Sequence, residues 1–379
     1  MIQTYKAIAN RQFEAGFNFF RMEQPLFEST CPPSPSLQHH PEWKKLLDYI
    51  TVEEKEYKDL AKIYFEIGQH LTSNAFCSVQ SQGSVKNQTL IKQVGNNNFD
   101  LDLIGIWNHD TPRENPISFF EQAYDLLSPL GPLEKKNRCI RFICPNRAFY
   151  LELTPAIRCG QHFLVVDRET ATWKPSNPIA YAIWFNNCAL NCSIWNRRGF
   201  AFDSANIEPL PSHEVGPYDI LRCAVRLFKR HRDRYYFHAS DSRKKDKPIS
   251  CIITTLTAQA MIGIVNYNAQ NNHIFNEFEL LVNCLRLMPA YIDESEDQFF
   301  VNNPEMLQEN FAEKWNSNPG RKKEFDIWRK AAINDFALIA NERDSKKLKE
   351  HCKRIFGDYE NTTATPATSS AQTSMTGLA

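Results

Sequence analysis

The sequence predicts an α+β protein with two lobes, a sheet surrounded by helices and then a helical bundle. Alternating apolar residues typical of strands occur in the first half of the chain, whereas apolar residues at helical spacing dominate the second half. At 379 residues, of which 42% are hydrophobic and 12% aromatic, the chain has enough material for a core in each lobe. We predict domains at 51–215 and 216–359, preceded by an N-terminal helical segment (1–50) and followed by a tail (360–379).

The first lobe begins with helices. Residues 1–50 combine aromatic-rich helical patterning with a proline-rich break at 31–35. The stretch Thr51-Val52-Glu53-Glu54 has the form of a capping box, which predicts the N-terminus of a helix that runs to about Leu71. A short helical segment then follows the turn at Gly83-Ser84.

Strand patterns follow this turn. Apolar alternation predicts strands at 99–106, 138–156 and 161–166, and helical spacing predicts a helix at 116–130 between the first two strands. The first lobe is therefore expected to be a mixed layer of helices around a sheet.

From about Tyr218 the pattern is helical. The predicted helix 219–237 carries one apolar face and one basic face, each with members at positions i, i+4 and i+7. The basic face consists of Arg222, Arg226 and Lys229. Further helices are predicted at 248–268, 274–288, 305–315, 321–341 and 343–356, with a loop at 290–304. The tail 360–379 is rich in Thr, Ser, Ala and Gln with almost no charge, which predicts disorder.

Composition excludes several classes of protein. The formal net charge is zero, so any nucleic-acid or nucleotide site must be a local patch. No apolar run approaches the roughly 20 residues that span a bilayer, and the N-terminus lacks the apolar core of a signal peptide. We therefore expect a cytoplasmic protein without a membrane partner. The eleven scattered cysteines indicate reduced, mostly buried thiols, because no second Cys or His pair at a zinc-like spacing accompanies Cys139/Cys144 or Cys188/Cys192.

The chemistry of the chain is indicated most strongly by residues 82–103. Asp100 and Asp102 lie two residues apart in a predicted strand, so both carboxylates lie on one face of it. The turn Gly83-Ser84 lies shortly before them and offers backbone amides that can bind phosphate. Two carboxylates beside such a turn are typical of Mg²⁺-dependent chemistry on a nucleotide. A P-loop is excluded, because its sequence pattern does not occur.

A two-metal transfer requires one more acid close to the aspartate pair. The best candidate is Glu152, which shares a strand face with Tyr150 and Thr154. A single glutamate in a strand is otherwise an ordinary edge residue. The Gly83-Ser84 turn is also common on its own, so the prediction depends on the combination of turn, short helix and Asp-x-Asp strand.

These residues resemble the cGAS/DncV-like nucleotidyltransferases, a family of the polymerase-β superfamily that includes bacterial enzymes of cyclic-oligonucleotide anti-phage (CBASS) signalling. The resemblance extends over about residues 50–330. The segments that carry it are Gly83-Ser84 with Asp100–Asp102, Leu151–Pro155, Leu227–Asp233, Pro248–Thr255, Asn303-Pro304 and Asn310–Trp315. The resemblance implies a bilobed polymerase-β-like fold and the joining of nucleoside triphosphates, with ATP among them, into a cyclic oligonucleotide.

The resemblance also implies roles for individual residues. Asp100, Asp102 and Glu152 would be catalytic and hold two Mg²⁺ ions, with Mn²⁺ as an alternative ion. Gly83 and Ser84 would bind the β- and γ-phosphates of the donor nucleotide. Lys229 and Ser250 would complete the triphosphate site, although Lys229 is equally consistent with a solvated charge on a helix.

Two departures from the family pattern limit what can be transferred. Family members commonly have Asp at the third acidic position, where this chain has Glu152, so the geometry around the attacking hydroxyl is expected to differ. The zinc-binding insertion of the animal DNA sensor is absent, and direct activation by nucleic acid is therefore not predicted. The residues alone are also consistent with a linear or terminal nucleotidyltransferase, or with a catalytically dead nucleotide sensor.

The tail suggests a protein partner. In some bacterial members a flexible C-terminus is conjugated to a target by a ubiquitin-activating-like enzyme. Residues 360–379, which end in Thr376-Gly377-Leu378-Ala379, have a composition suited to such a conjugation partner. The alternative is an ordinary frayed terminus.

Overall fold

The computed structural model describes residues 26–28, 40–95, 98–108, 115–144, 147, 149–192, 207–216, 219–271 and 275–359. The predictions of a disordered tail at 360–379 and of a break at 31–35 therefore lie outside the described residues.

The first lobe is built on a mixed seven-stranded sheet. Its strands are β1 (Cys77–Ser81), β2 (Phe99–Trp107), β3 (Leu133–Lys135), β4 (Ile140–Phe142), β5 (Phe149–Cys159), β6 (His162–Asp167) and β7 (Thr172–Ser176). The order is β1-β2-β5-β4-β3, with β6 paired to the end of β5 and β7 paired to β6. The strands β2 and β5 run parallel, whereas the other pairs are antiparallel. The long strand β5 therefore lies at the centre, with β2 along one edge and β4 and β6 along the other.

The helices of this half of the chain are α1 (Trp43–Ile50), α2 (Glu54–Asn74), α3 (Gly83–Lys86), α4 (Pro116–Leu127) and α5 (Pro178–Cys192), and a 3₁₀ turn (Ser128–Leu130) follows α4. Of these, α2 and α4 pack on the sheet, whereas buried residues of α1 and α5 lie in the core of the helical lobe. Apolar residues of α2 such as Leu60, Ile67 and Leu71 are buried in the same cluster as the sheet. The α+β prediction is confirmed.

The predicted capping box at 51–54 is wrong. The helix α2 begins at Glu54 with Glu53 as its N-cap, and no side chain caps it. The Thr51 hydroxyl instead donates to the Leu47 carbonyl at 2.7 Å. The Thr51 hydroxyl thus bonds to the last turn of α1 and does not cap α2.

The second lobe is helical. Its helices are α6 (Ile220–Phe237), α7 (Asp241–Asp246), α8 (Ser250–Asn271), α9 (Glu277–Leu287), α10 (Glu313–Ser317), α11 (Pro319–Asn341) and α12 (Ser345–Phe356), and a 3₁₀ turn (Met288–Tyr291) follows α9. They enclose one apolar cluster, to which Trp43 of α1 and Phe185 of α5 also belong. The predicted domain boundaries at 50 and 215 stay predictions.

The prediction of a loop at 290–304 and a helix at 305–315 is wrong. This region holds the small strands β8 (Asp293–Ser295), β9 (Gln298–Phe300), β10 (Asn302–Asn303) and β11 (Met306–Asn310), and α10 begins only at Glu313. The Asn310 side chain accepts from the Val301 amide at 3.0 Å and donates to the Phe299 carbonyl at 3.0 Å. Side-chain hydrogen bonds of this kind compete with a helix and favour a turn.

A second correction concerns 138–156, which the pattern predicts to be one strand. The chain forms a hairpin-like pair instead, with β4 antiparallel to β5. The strands β1, β3 and β7 and the helix α5 were not predicted. The strand β3 has only three residues, none of them buried, so its sequence carries little periodic signal.

One described helix meets the length and hydropathy criteria for a membrane span. It is the stretch Ser250–Tyr267 of α8, with a mean hydropathy of 1.2, and 61% of this stretch is buried inside the fold. The expectation that no apolar run approaches membrane-spanning length is corrected for this stretch. Buried side chains such as Ile252, Leu256 and Ile264 belong to the core of the helical lobe.

Candidate active site

The three predicted acids lie on two adjacent strands. In the parallel pair β2 and β5, Asp102 lies opposite Glu152 and Asp100 lies opposite Tyr150. Leu101 and Leu103 are fully buried, so they turn β2 toward the core and leave the two aspartates on the other face. One carboxylate oxygen each of Asp100, Asp102 and Glu152 lies within 4.8 Å of the other two. The structure thus brings Glu152 to the aspartate pair, although it lies 50 residues after Asp102 in the sequence.

The two aspartates lie close to each other and to Glu152, and Lys229 lies near both. Burial, and then the charges of Asp100 and Glu152, raise the pKa of Asp102 well above its usual value. Burial also raises the pKa of Asp100, and the nearby Lys229 opposes this increase. Neither aspartate forms an ion pair with a residue in the described part of the chain. A site that holds two half-buried carboxylates without a directly paired cation is suited to bind one.

The Gly83-Ser84 turn lies directly against these acids. Gly83 has φ +60°, and a Cβ atom there would lie 2.3 Å from Oδ2 of Asp102. The Gln82 amide donates to the Asp102 carbonyl at 2.8 Å, which anchors the turn to β2. The Ser84 hydroxyl oxygen is buried and has no hydrogen-bond partner among the described residues. A buried polar atom without a partner at the lining of a cleft is typical of a ligand site.

The basic face of α6 is buried, so the interpretation of Lys229 as a solvated helix charge is wrong. Two of its cations and the neighbouring Arg230 donate to backbone carbonyls of the segment 87–92, which follows the Gly83-Ser84 turn. The bonds run from Arg222 to Asn87 (3.0 Å), from Lys229 to Thr89 (2.9 Å) and from Arg230 to Lys92 (3.1 Å). The helix α6 therefore positions the segment that directly follows the predicted phosphate-binding turn.

Lys229 itself has a perturbed pKa. Burial and then the neighbouring Arg232 lower it to about 8, while Asp100 and Asp102 act in the opposite direction. Lys229 lies in the same cleft as the two aspartates and forms no ion pair with a described residue. Its charge is thus sensitive to pH near neutrality.

Ser250 is the first residue of α8 and lies in the same cleft. The guanidinium of Arg232 donates to its Oγ at 2.9 Å and also pairs with Asp233 at 2.7 Å. The cleft has a volume of about 320 Å³. Six of the seven predicted site residues line it, namely Gly83, Ser84, Asp100, Asp102, Lys229 and Ser250.

The other end of the cleft was not predicted. The rings of Tyr181 and Phe311 meet edge to face, with their centroids 5.6 Å apart. The Glu309 carboxylate accepts from Ser176 Oγ at 2.7 Å and from Asn303 Nδ2 at 2.7 Å, so it joins β7 to the late strands. Asn303 and Phe311 belong to segments that the family resemblance includes, but nothing in the local pattern of the sequence places them beside β7.

Glu152, the seventh predicted residue, is bound to an arginine. Arg141 lies directly opposite it on β4, and its Nη2 is 2.6 Å from Glu152 Oε1. Sequence reasoning missed Arg141 because it interpreted 138–156 as one strand. Recognition of the β4–β5 pair would place the two residues side by side, since directly opposed residues in an antiparallel pair share a face.

The donor set matches a hard divalent cation. Three carboxylates supply only oxygen ligands, which Mg²⁺ and Mn²⁺ prefer. Among the described residues this is the one group of three or more acidic, His or Cys side chains with the geometry for a metal ion. Asp100, Asp102 and Glu152 would hold the ions.

Comparisons with known proteins agree with this geometry. Residues 37–189 match the Second Messenger Oligonucleotide or Dinucleotide Synthetase domain. A c-di-GMP synthase from Roseivirga ehrenbergii is 26% identical over 255 residues, which are 65% of this chain and 63% of that protein. The chain thus spans less than two thirds of the length of this curated relative.

Solved structures share the fold over most of the chain. The Bradyrhizobium diazoefficiens CD-NTase CdnG in complex with GTP has a TM-score of 0.59 at 19% identity, over 83% of this chain and 95% of that chain. E. coli MS115-1 CdnC with ATP has a TM-score of 0.57 at 11% identity, over 83% of this chain and 98% of that chain. The matched domain contains all three acids, and the shared fold also covers the helical lobe. The chain therefore shares the α+β fold of these CD-NTase structures, and its residues 37–189 match the synthetase domain.

Proposed function

We propose that this protein is a metal-dependent nucleotidyltransferase that joins nucleoside triphosphates into a cyclic oligonucleotide and releases pyrophosphate. The observation that carries the proposal is the set of Asp100, Asp102 and Glu152, whose carboxylate oxygens lie within 4.8 Å of one another. Two of these acids face a cleft that also holds the Gly83-Ser84 turn and Lys229. The names of the relatives support cyclisation, since one is a c-di-GMP synthase.

The residues of the cleft define where a triphosphate would bind. The unpartnered hydroxyl of Ser84 and the ammonium of Lys229 would donate to its phosphate oxygens. Ser250, oriented by Arg232, would add a third polar contact. The aromatic end of the cleft, with Tyr181 and Phe311, would receive the base.

The reaction follows from this placement. A ribose hydroxyl of one nucleotide attacks the α-phosphorus of the other, the bond to the bridging oxygen breaks, and pyrophosphate leaves. Bound divalent ions supply a lowered hydroxyl pKa and compensation of the charge on pyrophosphate. Glu152 would lie nearest the attacking oxygen as a ligand and proton acceptor. Repetition on the linear intermediate would close the ring.

ATP is the substrate that the sequence predicts, and GTP is supported by the relatives. The CdnG structure contains GTP, the CdnC structure contains ATP, and the curated relative is named for a guanine product. We propose Mg²⁺ as the ion, with Mn²⁺ as an alternative, because the donor set is all oxygen.

The test is incubation of the purified protein with all four nucleoside triphosphates and Mg²⁺, followed by phosphatase treatment and mass spectrometry. A phosphatase-resistant product that is lost in the double variant Asp100→Asn/Asp102→Asn would support the proposal and identify the bases. Phosphatase-sensitive linear products alone would favour the linear or terminal nucleotidyltransferase. Nucleotide binding without pyrophosphate release under any ion would favour the catalytically dead sensor.

The charge of Lys229 leads to a pH-dependent prediction. Because its pKa in the free protein is about 8, a rise of pH through this value removes the charge before the nucleotide arrives. Affinity for a non-hydrolysable triphosphate should therefore fall as the pH rises through about 8, with proton uptake on binding. Lys229→Met should lower affinity roughly 10- to 100-fold at neutral pH, as expected for a charged hydrogen bond, and should abolish the pH dependence.

Isothermal titration calorimetry in buffers of different ionisation enthalpy measures both the affinity and the proton uptake. The matched control is Lys245→Met, since Lys245 is exposed on α7. An unchanged pH profile in Lys229→Met would contradict the assignment of Lys229 to the triphosphate site.

The biological setting is proposed from the sequence alone. We propose that the product serves anti-phage signalling in the cytoplasm, and equal phage sensitivity of cells with the wild-type chain and with Asp102→Asn would contradict this. The proposed conjugation partner at the C-terminus stays a prediction as well. To test it, residues 376–379 are removed and conjugation of the chain to targets is measured. Unchanged conjugation would contradict the proposed partner.

A further inference from the structure

The partner of Glu152 in the structure is a guanidinium on the neighbouring strand. Along one row of the sheet, Asp102 of β2, Glu152 of β5 and Arg141 of β4 lie opposite one another in register. Arg141 therefore lies on the side of Glu152 that is away from the aspartate pair. Both Nε (2.8 Å) and Nη2 (2.6 Å) of Arg141 contact the same oxygen of Glu152, Oε1.

The guanidinium is itself held in place. It stacks on the ring of Tyr150, with Cζ 4.0 Å from the ring centroid, and Tyr150 lies on the same face of β5 as Glu152. Its Nη1 lies 3.6 Å from the Glu134 carboxylate. Arg141 thus has a defined position from which to orient Glu152.

The two oxygens of Glu152 are consequently different. Oε1 is occupied by two N–H donors of Arg141, whereas Oε2 has the thiol of Cys139 at 3.4 Å. A thiol is a weak donor and is easily displaced by a cation. Oε2 is therefore the oxygen that can bind an ion together with the aspartates.

We propose that Arg141 is the positioning residue that allows a glutamate to serve at the third acidic position. Glutamate has one more rotatable bond than aspartate, so its carboxylate loses more conformational freedom when it binds an ion. The contact with Arg141 removes that freedom in advance and offsets one of the three negative charges. This inference rests on the proposed metal-dependent activity and assigns one further residue to it.

The first test is metal binding without nucleotide, measured by Mn²⁺ electron paramagnetic resonance. Replacement of a residue that orients a metal ligand typically lowers affinity 10- to 100-fold, and we expect a loss of about this size in Arg141→Gln. Arg141→Lys should recover part of it, because an ammonium restores the charge but not the two parallel donors. The Arg141–Glu152 pair is partly exposed, and pairs of this kind contribute little to stability, so these variants should fold.

The second test separates positioning from a general charge effect. We expect Arg141→Gln to lower Mn²⁺ affinity much less in a Glu152→Asp background, because the shorter side chain lacks the torsion that Arg141 restrains. Equal losses in the two backgrounds would overturn the inference, whatever Glu152→Asp does on its own. The matched control is Arg147→Gln, because Arg147 pairs with Asp59 of α2 and does not contact Glu152.

The outcomes also distinguish this inference from the proposed function. If the wild-type protein binds no Mn²⁺ that Asp102→Asn removes, the metal site is wrong and the role of Arg141 falls with it. If the wild-type protein binds Mn²⁺ at such a site and Arg141→Gln binds it equally well, the inference about Arg141 alone is overturned.

Discussion

Asp102→Asn should abolish nucleotide transfer and at the same time raise the melting temperature of the metal-free protein. Asp102 lies at the centre of the acidic site, opposite Glu152 and under the Gly83-Ser84 turn. Loss of a metal ligand removes several kcal/mol of transition-state stabilisation. At 1.36 kcal/mol for each factor of ten, about 4 kcal/mol corresponds to a decrease in kcat of roughly 1,000-fold.

The gain in stability follows from the raised pKa of Asp102. In the folded protein this pKa lies above the value of an unfolded chain, because of burial and the neighbouring charges of Asp100 and Glu152. The folded state therefore retains the Asp102 proton to a higher pH than the unfolded chain does. The free energy of unfolding consequently falls as the pH rises from the pKa of the unfolded chain through that of the folded protein. At neutral pH asparagine removes this penalty. Bound Mg²⁺ removes it as well, so Mg²⁺ should stabilise the wild-type protein but not the variant.

Differential scanning calorimetry with and without Mg²⁺ measures both effects. The control is Asp125→Asn, because Asp125 is exposed on α4 and should leave activity and the response to Mg²⁺ unchanged. Normal turnover in Asp102→Asn, or a melting temperature that falls without metal, would refute the description of this site.

Gly83→Ala should inactivate the protein through a single methyl group. The added Cβ would lie 2.3 Å from Oδ2 of Asp102, so either the carboxylate or the turn has to move. A displacement of about 1 Å in a catalytic arrangement can lower the rate roughly 100-fold. The positive φ of +60° adds a backbone penalty, which is about 1–2 kcal/mol for a residue with a side chain.

Gly160→Ala separates the backbone penalty from the collision with Asp102. Gly160 has φ +61°, almost the same as Gly83, but a Cβ there would meet no atom within 4 Å. It lies in the turn between β5 and β6. We expect a similar loss of stability with full activity, measured by thermal unfolding and by the release of pyrophosphate. Equal activity in the two alanine variants would contradict the close approach of the turn to Asp102.

The sequence sufficed for those parts of the site that depend on local periodicity. The spacing of two residues between Asp100 and Asp102 places both on one strand face wherever that strand lies. The same rule puts Glu152 on the face of its strand opposite Leu151 and Leu153. The parallel pairing of β2 and β5 then brings the three acids together, as the structure shows.

Local patterns failed where partners come from distant segments. Arg141 and Glu152 are neighbours only because β4 pairs with β5, and local periodicity does not specify which strand pairs with which. The helix predicted at 305–315 is similar, since the side-chain bonds of Asn310 to the segment 299–301 decide in favour of short strands.

Burial of the basic face of α6 is another feature that depends on a distant segment of the chain. An amphipathic pattern with cations normally indicates a solvated face, but here Arg222, Lys229 and Arg230 bind backbone carbonyls of the segment 87–92. A cation is tolerated in the interior only when such acceptors are present. These acceptors lie more than 100 residues away in the chain.

The sequence by itself determined the α+β class, the strand faces of Asp100, Asp102 and Glu152 and the Gly83-Ser84 turn, because each depends on residues within one element or on a short motif. Only the tertiary structure decided that Lys229 is buried with a pKa of about 8, that Gly83 lies against Asp102, and that Arg141 occupies one oxygen of Glu152. These features arise from contacts between elements. Such contacts depend on how the strands pair and how α6 packs against the segment 87–92, which no local pattern of residues encodes.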